Sequence, residues 1–237
     1  MDFDQAKVMT NFIIENQIHN ILELGFCHGV STAYMAGAID ELNGGSITTI
    51  DLLTAKNADP NIESLLSSLD LQKYVTVYYE PTSYTWRLMK MLEENPEPRF
   101  DFCYLDGAHN WFVDGFAFFL IDRLLLPGGW IIFDDLDWTY ASSPTAKNTA
   151  RVKAMPQEER ETAQVYQVYQ LLVKPHPAYG DFMIKDGWGY ARKKRSESGI
   201  VPTQEIKQEV IYQKEYVGMG AVVLKAMRKI KEKFKKN

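Results

Sequence analysis

The chain predicts an α/β fold: a doubly wound, mostly parallel sheet of seven strands with an antiparallel last strand, followed by a C-terminal helical extension. Short apolar segments stopped by glycine or aspartate alternate with segments of helical spacing from residue 4 to residue 135. The strand segments are rich in Val, Ile, Tyr and Phe. Near residue 186 two further strand segments, YGDFMIK and WGYARKK, flank Asp186-Gly187, a two-residue hairpin signal that makes them antiparallel.

Residues 4 to 18 place Ala6, Met9, Phe12 and Ile13 on one helical face. NILELG is a buried strand stopped by glycine, and STAYMAGAIDEL is a helix with Ser31 or Thr32 near its start. NGG turns the chain into the strand SITTIDLL. The helix NIESLLSSLDL, the strand YVTVYYE and the helix SYTWRLMKMLEEN follow, the last ended by Pro96. FDFCYLD is the fourth strand, WFVDGFAFFLIDRLL a helix ended by PGG, and WIIFDD the fifth strand. In that helix Phe116, Phe118 and Phe119 are expected in the core. Residues 136 to 160 are polar, hold two prolines and read as a loop or lid; ETAQVYQVYQLLVK then reads as a helix. Residues 196–237 read as an extension with a basic amphipathic helix from about residue 219.

A chain of 237 residues buries enough surface to fold without staples. Its two cysteines, Cys27 and Cys103, form neither a disulfide framework nor metal-site spacing, which points to a reducing cytoplasm. The N-terminus lacks a basic segment followed by an apolar core, and no window of 18 apolar residues exists, so neither a signal peptide nor a membrane span is expected. Net charge is −5, but the last 13 residues, KAMRKIKEKFKKN, carry +6 and leave −11 on the rest. An acidic body argues against nucleic-acid binding, while the tail suits a solvated helix end or contact with an anionic surface or partner. Assembly as a homo-oligomer is left open.

Ligands of open parallel sheets bind beyond the carboxyl ends of the strands, and the residues singled out below lie there. ILELGFCHGVST is a strand, a glycine loop and a helix start. Gly25 permits a sharp turn, and Gly29 permits close approach of the backbone to a ligand. The spacing G-x-x-x-G differs from the G-x-G-x-x-G of dinucleotide sites, and the loop alone carries little information. Asp51 ends the second strand 26 residues after Gly25. A carboxylate there accepts both hydroxyls of a ribose, or else caps the next helix. With Glu23 and the glycine loop beside it, the nucleoside reading is favoured.

The fourth strand ends at Asp106 in YLDGAHNW, and the fifth at Asp134-Asp135, 28 residues later. Three carboxylates at one rim repel one another without a cation. Hard oxygen donors suit Mg²⁺, whereas zinc is disfavoured without cysteine or paired histidine. Each aspartate has a plainer role available as a helix cap, the role expected of Asp114 and Asp137. Trp111, Trp138 and Tyr140 are expected to line an acceptor pocket.

The segment E-L-G-x-x-x-G-x-S-T resembles the cofactor loop of class I S-adenosylmethionine-dependent methyltransferases of the catechol type, over about residues 10 to 190. The resemblance implies a Rossmann-like methyltransferase domain over residues 1–195. It implies that Glu23, Gly25, Gly29, Ser31, Thr32, Asp51, Thr82, Ser83 and Asp106 bind S-adenosylmethionine. DGAH with PGGWIIFDD resembles the metal-dependent branch, which includes catechol and caffeoyl-coenzyme A methyltransferases and antibiotic-sugar O-methyltransferases. That implies Mg²⁺ or another hard divalent cation on Asp106, Asp134 and Asp135, with His109 as general base beside Asp106. The departure from the pattern is Phe26-Cys27-His28 inside the loop, where His28 has no assigned role. The expected activity is methylation of a hydroxyl on a small molecule, such as a sugar or other natural-product intermediate. The alternatives are a nicotinamide-dependent oxidoreductase and a non-catalytic binding module of the same fold.

Overall fold

The computed structural model describes residues 1–195; the expected extension over 196–237 and its basic helix lie outside the described residues. Seven strands form one sheet in the order β3-β2-β1-β4-β5-β7-β6. They are β1 (Asn20–Leu24), β2 (Ser46–Leu52), β3 (Val75–Glu80), β4 (Phe100–Leu105), β5 (Leu125–Phe133), β6 (Tyr179–Lys185) and β7 (Trp188–Lys193). The first five pair in parallel, and β7 pairs antiparallel with both β5 and β6. The β6–β7 turn has left-handed φ at Asp186 (53°) and Gly187 (81°), as a two-residue hairpin requires.

Helices α1 (Phe3–Glu15), α2 (Val30–Glu41), α3 (Ile62–Ser68), α4 (Tyr84–Glu94) and α5 (Trp111–Leu124) cover the two faces. Side chains alternate along β4, and that alternation feeds two cores. Phe102 and Tyr104 join Met9, Ile13, Met35 and Ile39 from α1 and α2 on one face. Cys103 and Leu105 join Leu88, Phe118 and Ile121 from α4 and α5 on the other. Each fully buried Leu, Ile or Phe contributes about 1.5–3 kcal/mol through removal of apolar surface from water. Side chains satisfy the orphan N–H groups at the helix starts: Asp2 and Gln5 form a capping box on α1, and Asn61, Ser83 and Asn110 cap α3, α4 and α5.

Three local expectations change. The Pro127-Gly128-Gly129 stretch does not separate α5 from the fifth strand but lies inside β5. Leu125 already pairs with Phe100, the register then slips, and Trp130 pairs with Phe102, so the glycines absorb a bulge. Residues 136 to 160 are not all loop: they hold α6 (Ala150–Lys153) and α7 (Gln157–Glu161). The next helix begins as α8 (Gln164–Val168) and continues as a π-helical turn over Tyr169–Val173. Finally, α5 buries Ala117, Phe118 and Ile121 but leaves Phe116 and Phe119, 56% and 46% exposed, on its opposite face.

Candidate active site

The order of the parallel strands reverses between β1 and β4, so the loops after them diverge and leave a crevice. A cavity of about 930 Å³ opens there. Gly25, Ser31, Asp51, Thr82, Ser83 and Asp106 all line it, as does His109.

The glycine loop is held from three sides. Gly25 has φ +90°, and a Cβ there would fall 2.0 Å from the carbonyl oxygen of Asp106. Any side chain at 25 would force apart the ends of β1 and β4. Oδ2 of Asp51 accepts the backbone N–H groups of Phe26 (2.8 Å) and Cys27 (2.7 Å), and Oδ1 accepts that of Leu52 (2.6 Å). Asp51 therefore shapes the loop as well as lining the cavity. His28 also lines the cavity, and its Nδ1 lies 2.9 Å from the carbonyl oxygen of Pro60.

Glu23, Thr32 and Gly29 are not brought to the cavity wall. Glu23 is fully buried behind the loop and accepts the hydroxyls of Ser31 (2.5 Å), Thr32 (2.5 Å) and Thr49 (2.6 Å). Burial pushes its pKa up to about 7 against the pull of those three donors. The trio pins the first turn of α2 to β1 and β2. Gly29 is close to another helix: a Cβ there would lie 2.5 Å from the side chain of Ile62 in α3.

Ligand atoms of Asp106 and His109, on the cavity wall, and of Asp135 lie within 4.8 Å of one another. His109 Nε2 is 3.0 Å from Asp135 Oδ2 and 3.7 Å from Asp106 Oδ1. His109 and Asp135 both have left-handed φ, 53° and 55°, which is uncommon without glycine and costs about 1–2 kcal/mol per residue. Burial, then the nearby charge of Asp134, raises the pKa of Asp106. Burial pulls His109 down, but the hydrogen bond with Asp135 and the charges of Asp106 and Asp135 outweigh it, and its pKa rises. The hydrogen bond from His109 lowers Asp135.

Asp134, expected beside them as a metal ligand, is turned inward. Its Oδ2 accepts the hydroxyl of Tyr104, and its Oδ1 accepts both Trp188 Nε1 (2.6 Å) and the N–H of Asp135 (2.6 Å). A carboxylate oxygen with two donors has no lone pair left, so Oδ1 is spent. Among the described residues the ligand atoms that come together are those of Asp106, His109 and Asp135, with Asp134 buried behind Asp135 and only its Oδ2 short of a second donor.

The aromatics divide. Trp138 stacks on His109 with ring centres 4.9 Å apart, and Tyr140 packs against Trp138 at 4.8 Å. Trp111 instead borders a separate groove of about 480 Å³ beside Glu158 and Leu171. Three residues escaped the sequence reading, Tyr84, Tyr104 and Trp188, and a fourth was misplaced. Asp114, expected at the surface or as a cap, is fully buried; its only sequence signal is its place four residues after the N-cap Asn110.

Comparison with known proteins bears on the fold that carries this site. Residues 22–136 match a family model described as a methyltransferase domain. No curated protein matches the chain significantly. Among solved structures, an O-methyltransferase from Bacillus cereus in complex with S-adenosylhomocysteine is similar at 23% identity and TM-score 0.60, covering 82% of each chain. The O-methyltransferase TomG from Streptomyces achromogenes, involved in tomaymycin synthesis and solved with S-adenosylmethionine, is similar at 17% identity and TM-score 0.59, covering 82% of this chain and 81% of that one. A methyltransferase of Podospora anserina bound to S-adenosylhomocysteine gives 18% and 0.59, with coverage of 82% and 80%. At these identities the likeness establishes the Rossmann-like methyltransferase fold. Among the described residues no helix is long and apolar enough to cross a membrane.

Proposed function

We propose that this chain, whose residues 22–136 match a methyltransferase-domain model, moves a methyl group from S-adenosylmethionine to a hydroxyl oxygen of a small acceptor, assisted by a hard divalent cation. The observation that carries the reading is that Asp106 and His109, on the wall of the cavity that Asp51 and the glycine loop also line, meet the carboxylate of Asp135, 3.0 Å from His109 Nε2. The two carboxylates of Asp106 and Asp135 are hard oxygen donors that fit such a cation, and the charge of Asp134 beside Asp106 adds to the need for one. Mg²⁺ is the first candidate.

When bound, the cation supplies Lewis acidity that lowers the pKa of the acceptor hydroxyl. S-adenosylmethionine supplies a methyl on a sulfonium sulfur that leaves as a neutral thioether. The protein does the rest. Asp106 and Asp135 hold the positive charge at the rim. Asp51 and Ser31 orient the cofactor from the loop side, with Thr82 and Ser83 opposite. His109 Nε2, which donates to Asp135 in the metal-free protein, would be freed of that proton once the carboxylates are neutralised by a cation and would then take the hydroxyl proton, an effect worth about 10²–10⁴-fold. Trp138 fixes that ring by stacking. Holding the two reactants in line supplies much of the remaining acceleration. A hydroxylated natural-product intermediate, a sugar among them, suits a cavity of this volume.

The proximity of Nε2 to both carboxylates favours one second reading, in which His109 is a third cation ligand and not the base. His109→Gln separates them: a base loses turnover with Mg²⁺ affinity kept, a ligand loses both. Calorimetry with S-adenosylhomocysteine and with NAD tests the function itself. Binding of the first and not the second is expected. Binding of NAD alone, or full activity in EDTA, refutes the reading. A non-catalytic module would bind S-adenosylhomocysteine yet ignore Mg²⁺.

A further inference from the structure

Beside the rim lies a buried pair that the mechanism above does not use, Tyr84 on the cavity wall and Asp114 behind it. Tyr84 is the first residue of α4 and Asp114 is in the first turn of α5; they are 5% and 0% exposed. The Tyr84 hydroxyl donates to Asp114 Oδ1, and Asp114 Oδ2 accepts the backbone N–H of Asn110 at 2.7 Å. A fully buried carboxylate is costly and demands partners. Helix α5 does not need it as a cap, because the side chain of Asn110 already accepts the N–H of Val113 at 2.9 Å.

What the pair does hold is the turn between β4 and α5. The Tyr84 oxygen accepts the N–H of Ala108 at 3.3 Å. The Tyr84 ring fills the space beside Gly107, where a Cβ would meet ring carbon Cε1 at 2.4 Å. Asn110 Nδ2 donates to the carbonyl of Ala108 at 3.2 Å. Residues 107, 108 and 110 are therefore each tied to this network, and with Asp106, His109 and Tyr84 itself they line the cavity. A left-handed His109 persists only where its surroundings over-determine the backbone.

We propose that Tyr84 and Asp114 are positioning residues for methyl transfer: they lock the 107–110 turn so that His109 Nε2 and Asp106 Oδ1 meet. This rests on the function proposed above. Because Tyr84 directly follows Ser83, the same network ties the expected cofactor side of the cavity to its acidic rim.

The test compares Tyr84→Phe, Asp114→Leu and Asp114→Asn with wild type and His109→Ala. Turnover is counted per S-adenosylhomocysteine-binding site by calorimetry, and Mg²⁺ affinity is measured separately in the presence of that ligand. Tyr84→Phe and Asp114→Leu are expected to lower kcat about 10–100-fold, the scale of an ångström-level misplacement. S-adenosylhomocysteine affinity should stay within about threefold, and Mg²⁺ should bind more weakly. Asp114→Asn keeps an acceptor for the Asn110 N–H and should recover most of kcat. Wild-type kcat and Mg²⁺ affinity in folded Tyr84→Phe and Asp114→Leu overturn the proposal, as does a loss of kcat that merely tracks loss of S-adenosylhomocysteine binding. If Asp114→Leu does not fold, Tyr84→Phe decides by the same criteria. A fully active His109→Ala sinks the reading of the site; an inactive one beside unaffected Tyr84→Phe sinks the positioning role alone.

Discussion

Replacing Asp51 by Asn tests whether the glycine loop is preorganised for its ligand. Asp51 serves three backbone N–H groups, at 2.8, 2.7 and 2.6 Å, from two oxygens. Hydrogen bonds to a charged group contribute about 1.5–3 kcal/mol each, and partial solvent access favours the lower end. Asparagine keeps one acceptor oxygen. Wherever that oxygen points, the amide group turns N–H toward at least one backbone N–H. The minimal loss is one charge-assisted bond, about 2 kcal/mol, plus weakening of the others. A loop no longer held must be ordered by the ligand, so the loss reappears in affinity. We expect S-adenosylhomocysteine to bind Asp51→Asn at least ~30-fold more weakly, since 1.4 kcal/mol is about tenfold. Calorimetry measures the affinity, and circular dichroism shows that the fold persists. Affinity within threefold of wild type would refute both the preorganisation and the cofactor contact.

Further outcomes are expected. His109→Ala should keep S-adenosylhomocysteine affinity and lose roughly 10²-fold or more in kcat, read from methyl transfer to any accepted hydroxyl substrate. Mg²⁺ should raise the melting temperature of wild type but not of Asp106→Asn or Asp135→Asn, because a ligand stabilises only a state that binds it; equal shifts in all three would place the cation elsewhere. The pKa of His109 is raised in the folded, metal-free protein, so its stabilising pairing is fully present below its unfolded pKa of about 6.5 and is lost as pH rises through the folded value. The melting advantage of wild type over His109→Gln in EDTA should therefore shrink from pH 6 to pH 9, and an advantage that grows would reverse the sign. Phe102→Ala, in the fully buried centre of β4, should cost about 3–5 kcal/mol, seen as a melting point lower by roughly 10 °C.

The fold was legible because each of its signals is local. Apolar runs closed by Gly25, Asp51 or Asp106 mark strand ends, and Asn61, Ser83 and Asn110 mark helix starts. Pro127-Gly128-Gly129 misled because the same residues that make a turn also make a bulge, and only pairing with β4 decides between them. Phe116 and Phe119 misled because hydrophobicity does not say which face of α5 meets the sheet. For the site, Asp106 and Asp135 were reachable from strand ends. The inward turn of Asp134 was not, since its partner Trp188 lies 54 residues further along the chain. Glu23 was found as a carboxylate near the loop, but the three hydroxyls that bury it come from α2 and β2, and no spacing rule joins them.

The bond from Trp188 to Asp134 has a kinetic consequence. Asp134 and Asp135 follow β5, yet the indole that supports Asp134 arrives on β7, the last strand in the chain among the described residues. Contacts so far apart in sequence form late, after the entropy of closing the intervening chain has been spent. Trp188 is also the last of these residues to be synthesised, after the glycine loop, Asp51, Asp106, His109 and Asp135, so the hydrogen bond that supports Asp134 completes only once the final strand has joined the sheet.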